Sequence, residues 1–517
     1  MDFRESAEDL KRRRERARAM GGREAIAKQH ARSKLTARER IELLCDRGSF
    51  TEFGMLAHAH SLHTPEVAAE KTPADGVVTG QGLIEGRPCC IAAYDFTVLA
   101  GSMGMVGEMK VSRMRELALR NRVPMIWLLD SAGARIQETA GSTFAGAGSL
   151  FYDQVQMSGV IPQVAAMMGP CAAGTAYIPG LADFVPMVKG TSSMSLGGAR
   201  LVKASTGETV TDHEMGGSQV HCYLSGVGDL EIEDDRACLE SVREFLGYLP
   251  PNNREAPPRK PTSDPTDRYL DGLESLVPAN PRQGYDMRHL VRQILDGQHF
   301  FEIKPTWARN IVTGFGRLSG QSVGVVANQP VHLGGILDVN AADKAARFIR
   351  MCDAFNVPLL FLQDVPGFMV GSKVEQEGII RHGAKMLYAV SEATVPKVTV
   401  IVRKGYGAGY FVMCGRGYRP DLIVAWPSAE ISVMGPEGAV NILFNKQIHA
   451  AADPEGTRAT LEAEVRKSID PYVAASWAYV DDVIDPAETR AVVIRGFERA
   501  SVKQVERPWR KHGNMPV

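Results

Sequence analysis

The sequence predicts an α/β protein made of two copies of one domain. Three observations carry that expectation: an internal repeat, a proline-rich break at mid-chain, and the same strand–turn–strand–helix–strand order in each copy. Shifting the 517-residue chain by 234 aligns residues 78–133 with 312–367 without a gap, with 15 identities over 56 positions. Unrelated segments would share about three or four at average composition. The break is LPPNNREAPPRKPTSDPTDR, residues 249–268, whose prolines forbid regular structure. The expected organisation is an N-terminal domain over 1–250, a linker over 251–268 and a C-terminal domain over 269–517.

Taken in order, the first forty residues hold 13 Lys/Arg against 7 Asp/Glu in a helical pattern. They read as a helical arm over about 1–45, solvated or packed on a partner subunit. VVTGQGLI and PCCIAAYD are apolar runs joined by Glu85-Gly86, a hairpin signal. Residues 104–121 place Met105, Met109, Met114, Leu117 and Leu119 among charges at helical spacing. VPMIWLLD is then a short buried strand. The copy at 312–367 repeats these steps, with VTGFGRLSG for VTGQGLIEG and VPLLFLQDVPG for VPMIWLLDSAG. Hairpins alternating with helix-crossed parallel strands indicate spiral ββα turns, not a helical bundle.

Several function classes are excluded by composition. Lys+Arg 59 against Asp+Glu 60 lacks the basic excess of a nucleic-acid binder. No apolar run of about 18 residues spans a membrane, and the N-terminus is too charged for a signal peptide. Eight scattered cysteines without a C-x-x-C pair read as reduced thiols of a cytoplasmic or matrix-type compartment. No metal site is expected: His58, His60 and His63 cluster without acidic or thiol partners. The pairs Gly80/Gly82 and Gly314/Gly316 do not bind a dinucleotide, because each runs into a second strand instead of opening a helix.

The chemistry is expected where a strand enters a small-residue turn. IPQVAAMMGP leads into Cys171-Ala172-Ala173-Gly174-Thr175-Ala176-Tyr177, and VPKVTVIVRK into Gly405-Tyr406-Gly407-Ala408-Gly409-Tyr410-Phe411. Ala173-Gly174 reads as the counterpart of Ala408-Gly409 with one residue inserted. Amides opening a helix have no intrahelical partner and sit at the positive end of its dipole. Small residues let an oxygen approach them, as in an oxyanion hole. One such turn alone would read as tight packing; two at equivalent positions suit a reaction in which two carbonyl-type oxygens carry charge together. No side-chain nucleophile competes. Asp130-Ser131, Ser102 and Asp364 lack a supporting histidine, and Glu430 and Glu437 read as structural residues in helix-capping or loop settings.

These residues lie within longer recognisable runs: DSAGARIQE (130–138), GPCAAGTAYIP (169–179), IIRHGAKMLYA (379–389), EATVPKVTVIVRKGYGAGYFVM (392–413) and AWPSAEISVMGPEGAVNI (425–442). From about residue 20 onward the chain closely resembles the carboxyltransferase (β) subunits of biotin-dependent acyl-CoA carboxylases, the propionyl-CoA enzymes most nearly. The resemblance implies two crotonase-like (ClpP/crotonase superfamily) domains. It implies transfer of CO2 from N1 of biotin to the α-carbon of an acyl-CoA thioester in short-chain acyl-CoA (fatty acid) metabolism. It places the thioester enolate oxygen at Ala173 and Gly174, and the biotin ureido oxygen at Ala408 and Gly409. Leu99, Gly101, Gly133, Ala134 and Phe411 fall at substrate-binding positions.

No Ala/Val-Met-Lys-Met biotinylation sequence occurs. Glu108-Met109-Lys110-Val111 lies in a predicted helix with a structural role. The resemblance therefore implies biotin on a separate subunit, a biotin carboxylase and carrier as partners, and a homohexamer. Departures concern the acyl group: Phe411 stands where relatives have Asp or Ile, and Leu99-Ala100 where they have Phe-Gly. Propionyl-CoA is the first expectation. Methylcrotonyl-CoA or another acyl-CoA, a decarboxylase or transcarboxylase component, and a noncatalytic scaffold are the alternatives.

Overall fold

The computed structural model describes residues 2–60 and 70–517. His63 lies outside the described residues. The chain forms two compact units, Met1–Glu255 and Ala256–Val517, and their boundary falls inside the proline-rich stretch. That stretch holds no helix or strand. Asn253 donates its amide to Val160 in the first unit, and Lys260 donates to Gly320 in the second.

Unit 1 carries one eight-stranded sheet. Its strands are β1 (Thr51–Phe53), β2 (Val77–Ile84), β3 (Arg87–Tyr94), β4 (Met125–Ser131), β5 (Gln163–Ala172), β6 (Pro186–Val188), β7 (Ser193–Ser195) and β8 (Leu230–Ile232). The order is β1-β2-β3-β4-β5-β6-β8, with β7 paired to β5. The β2–β3 hairpin is antiparallel and turns at Glu85-Gly86. β3, β4 and β5 are parallel, so helix Met105–Asn121 serves as the crossover that a parallel pair requires.

Unit 2 repeats this with β9 (Phe301–Ile303), β10 (Ile311–Leu318), β11 (Gln321–Asn328), β12 (Leu359–Val365), β13 (Lys397–Tyr406), β14 (Leu422–Ala425), β15 (Glu430–Ser432) and β16 (Asp482–Val483). Read from β9, the order is β9-β10-β11-β12-β13-β14-β16, with β15 on β13. Register fixes the correspondence residue by residue. Cys90 faces Met125 and Gly324 faces Leu359; Ser131 faces Cys171 and Val365 faces Gly405. Every position differs by 234.

Continuous apolar strands reflect burial on both faces. In unit 1 Trp127 and Leu129 pack with Val111 and Met114 of the crossover helix; in unit 2 Leu360 and Leu362 pack with Val398 and Val400. Each such side chain stabilises by about 1.5–3 kcal/mol. Conserving the offset, Lys110 donates to the carbonyls of Ala74 (2.7 Å) and Val77 (2.5 Å). Lys344 donates to those of Lys304 (2.8 Å), Trp307 (3.0 Å) and Ile311 (2.8 Å). The repeated lysine is a buried staple beneath the hairpin. Lys110 thus has the structural place expected of it, and among the described residues no helix is long and apolar enough to cross a membrane.

The N-terminal arm is three helices. Phe3–Arg18 is closed by a capping box of Asp2 and Glu5 and buries Ala17 alone. Arg23–His30 follows. Ala37–Leu44, capped by Thr36, buries Arg40, Ile41 and Leu44 against the unit.

Candidate active site

Three chain segments meet at the C-terminal ends of β3, β4 and β5, where open parallel sheets place their ligands. The first is the tight bend at Leu99, Ala100 and Gly101, whose φ angles are +47, +54 and +62°. The second follows β4: Met103 bridges Ala134, and Ala132 donates to the carbonyl of Ala100. The third is the turn after β5. Gly133 has φ +94°, and a Cβ there would lie 2.6 Å from the carbonyl oxygen of Ala172. A side chain at Gly133 would therefore push the second segment off the third. The structure thus brings Leu99, Gly101, Gly133, Ala134, Ala173 and Gly174 into one place.

The turn after β5 opens with Ala173 at φ +58° and continues as a 3-10 turn, Ala173–Ala176, before helix Tyr177–Leu181. Ala173 is exposed and Gly174 half-buried. Their amides are the first two of the turn, for which it offers no internal partner. The Thr175 hydroxyl donates to the Ala172 carbonyl at 2.7 Å and is not a free nucleophile.

In unit 2 the corresponding turn opens helix Gly407–Val412. Gly407 has φ +55°, so Ala173 corresponds to Gly407, Gly174 to Ala408 and Thr175 to Gly409. The inserted residue inferred from sequence does not exist. Matching small residues by type slid the alignment by one, whereas strand register holds it at 234 through Ala172 and Tyr406. Ala408 is exposed, and Gly409 is buried with Val365 Cγ2 only 2.7 Å and Gly367 Cα 3.0 Å from any added Cβ. Phe411 lies on unit 2, just past this turn. It is half-exposed, edge-on to Tyr410 with ring centroids 5.9 Å apart, and stacked near Tyr418 at 6.5 Å.

Buried ion pairs brace the segments from behind. Asp130 at the end of β4 accepts from Lys34 (2.6 Å), Gln29 (2.8 Å) and Arg40 (2.9 Å), and Arg40 also holds Asp235 at 2.7 Å. Burial pushes the Lys34 amine down, against the pull of Asp130. Its counterpart Asp364 accepts from Arg403 Nε at 2.9 Å; burial pushes its carboxyl up, opposed by Arg403 and Lys404. Both aspartates thus tie neighbouring segments together.

A family model described as a carboxyl transferase domain matches residues 28–515. The carboxyltransferase subunit of propionyl-CoA carboxylase from Haloferax mediterranei is 46% identical over all of both chains. The chain belongs to the carboxyltransferase family of biotin-dependent acyl-CoA carboxylases. The methylmalonyl-CoA decarboxylase subunit alpha of Veillonella parvula is 44% identical over 97% of each chain. The crystal structure of transcarboxylase 12S, described as a hexamer with methylmalonyl-coenzyme A and methylmalonic acid bound, superposes with TM-score 0.95 at 44% identity, covering 100% of this chain and 99% of that one. The two units are accordingly crotonase-like.

Sequence reasoning missed Arg135 of this carboxyltransferase and the partner of Glu430. Arg135 donates to Asp75 (2.6 Å), Glu138 (2.8 Å) and the Ser102 carbonyl (3.0 Å), locking the first two segments together. Its signal was the arginine inside DSAGARIQE. Glu430, expected in a loop or cap, opens β15 and accepts from the Tyr406 hydroxyl. Glu437, in the first turn of helix Pro436–Leu443, pairs with Arg282. Among the described residues no group of three or more His, Cys, Asp and Glu is arranged to hold a metal. The His58 and His60 rings touch at 4.7 Å.

Proposed function

We propose that this chain transfers a carboxyl group to the α-carbon of a short-chain acyl-CoA, propionyl-CoA first, as the carboxyltransferase subunit of a cytoplasmic acyl-CoA carboxylase in fatty acid metabolism. The supporting observation is the pair of equivalent turns, each entered through a left-handed residue and each opening on the first amides of a helical turn. Ala173 and Gly174 donate to the thioester oxygen as it becomes an enolate; Ala408 and Gly409 donate to the biotin ureido oxygen. Leu99, Gly101, Gly133 and Ala134 line the acyl-CoA side, and Phe411 shapes the choice of acyl group. Carboxybiotin, a substrate delivered on a separate biotin carboxylase/carrier chain, supplies the CO2 and a basic nitrogen for the α-proton. Donors aimed where charge develops stabilise the transition state more than the ground state, and losing one costs about 10²–10³ in kcat.

The residues present fit that substrate. Small side chains leave both turns open at Ala173 and Ala408, and neither turn carries a competing acid or base. The working enzyme is proposed as a homohexamer, by likeness to transcarboxylase 12S. The test is ATP- and bicarbonate-dependent carboxylation of acetyl-, propionyl-, butyryl- and methylcrotonyl-CoA with the cognate biotinylated partner. Product from propionyl-CoA supports the proposal. A stable complex that carboxylates none of the four contradicts it. The likeness to a methylmalonyl-CoA decarboxylase subunit favours a second reading, the same chemistry run in reverse; a membrane-bound partner in place of an ATP-dependent one would select it.

A further inference from the structure

The biotin-side turn has a brace that its twin lacks. Tyr406 is the last residue of β13, directly before Gly407. Its side chain is buried, and its hydroxyl donates to Glu430 Oε2. Arg466, near the end of helix Pro454–Ser468, donates to the other oxygen, Oε1, at 3.3 Å. Glu430 sits across from Lys404 and Ser432 across from Tyr406 in the parallel β13–β15 pair. The Tyr406 ring fills the space beside Gly435, where a Cβ would be 3.1 Å from Cε2. Gly407 is pressed against the same segment: a Cβ there would lie 2.9 Å from the Val433 carbonyl oxygen.

The turn is therefore seated on residues 430–435, and Tyr406 fastens that seat to its own strand. In unit 1 the residue equivalent to Tyr406 is Ala172, which has no side chain to reach β7. That turn is held locally, by Thr175 on the Ala172 carbonyl. The two repeats share a backbone but not this clamp. Burial first and the Glu430 carboxylate second raise the Tyr406 phenol above its ordinary value, so it stays a donor.

We infer that Tyr406, Glu430 and Arg466 are positioning residues for the biotin-side oxyanion turn. They hold the Ala408 and Gly409 amides in register with the ureido oxygen and leave the acyl-CoA turn of unit 1 untouched. This rests on the proposed function above. A small shift in a donor's place costs rate disproportionately, because the hydrogen bond must be formed where the charge appears. The clamp should thus govern one substrate and not the other.

The test is carboxyl transfer from methylmalonyl-CoA to free biotin by the purified chain, with each substrate varied in turn. Tyr406→Phe keeps the ring and removes the contact. It should lower kcat/KM for biotin about tenfold, leave KM for methylmalonyl-CoA within about twofold, and move the melting temperature little. Glu430→Gln keeps an acceptor for the hydroxyl and should recover most of the loss, whereas Glu430→Ala should reproduce it. If Tyr406→Phe is too unstable to purify, Glu430→Ala carries the same readout. Wild-type biotin kinetics in these variants, or equal losses for both substrates, would overturn the clamp. Wild-type protein inert with both substrates would instead overturn the reading it rests on.

Discussion

A methyl group added at Gly409 and one added at Gly174 meet different surroundings. At Gly409 it would strike Val365 and Gly367, so the turn must move. Gly409→Val is expected to reduce carboxyl transfer at least 100-fold and, by overpacking, to lower stability by about 1–3 kcal/mol while assembly persists; kinetics beside thermal melts and light scattering check this. At Gly174 the nearest atom to a Cβ is Phe151 Cζ at 3.6 Å, an ordinary contact. Its equivalent in unit 2 is already alanine. On the proposed chemistry, Gly174→Ala should keep activity within about threefold, because it retains the backbone amide. The glycine-rich composition of the turns was legible in the sequence. Which glycine is sterically obligatory was not, since that depends on how near β12 comes to Gly409.

At the scale of elements, the repeated lysine shows how each hairpin is secured. Lys344 lies among the carbonyls of Lys304, Trp307 and Ile311, all turned inward. Lys344→Met would remove the buried donor that these carbonyls share and is expected to destabilise unit 2 by about 3 kcal/mol or more. Lys110→Met, whose lysine serves fewer carbonyls, should cost less. Denaturant unfolding of both variants measures the difference. The β2–β3 hairpin and the helix Met105–Asn121 could be read from apolar spacing and the Glu85-Gly86 turn. The register of the second turn could not. Residue type favoured pairing Gly174 with Gly409, and only the hydrogen-bond ladder, carried unbroken from Cys171 and Gly405, shows that Ala173 and Gly407 are the left-handed pair. Arg135 and the Tyr406–Glu430 contact escaped notice for the same reason. They join residues 24 to 60 positions apart, and nothing local marks such partners.

For the whole molecule, duplication supplies two similar turns, and on the proposed reading divergence gives each its own substrate. The long apolar strands and the 234-residue offset made the duplicated α/β fold readable from sequence. Assembly was readable only through resemblance, because an interface carries no period of its own. Light scattering is expected to find six chains per particle, and a monomeric particle would contradict the proposed hexamer. Whether main-chain amides of the two turns do the chemistry is decided by transfer of labelled carboxyl from methylmalonyl-CoA to biotin in wild type and Gly409→Val. Label should reach biotin with wild type and fall at least 100-fold in the variant, with methylmalonyl-CoA still bound. Undiminished transfer by a folded Gly409→Val chain would contradict that role.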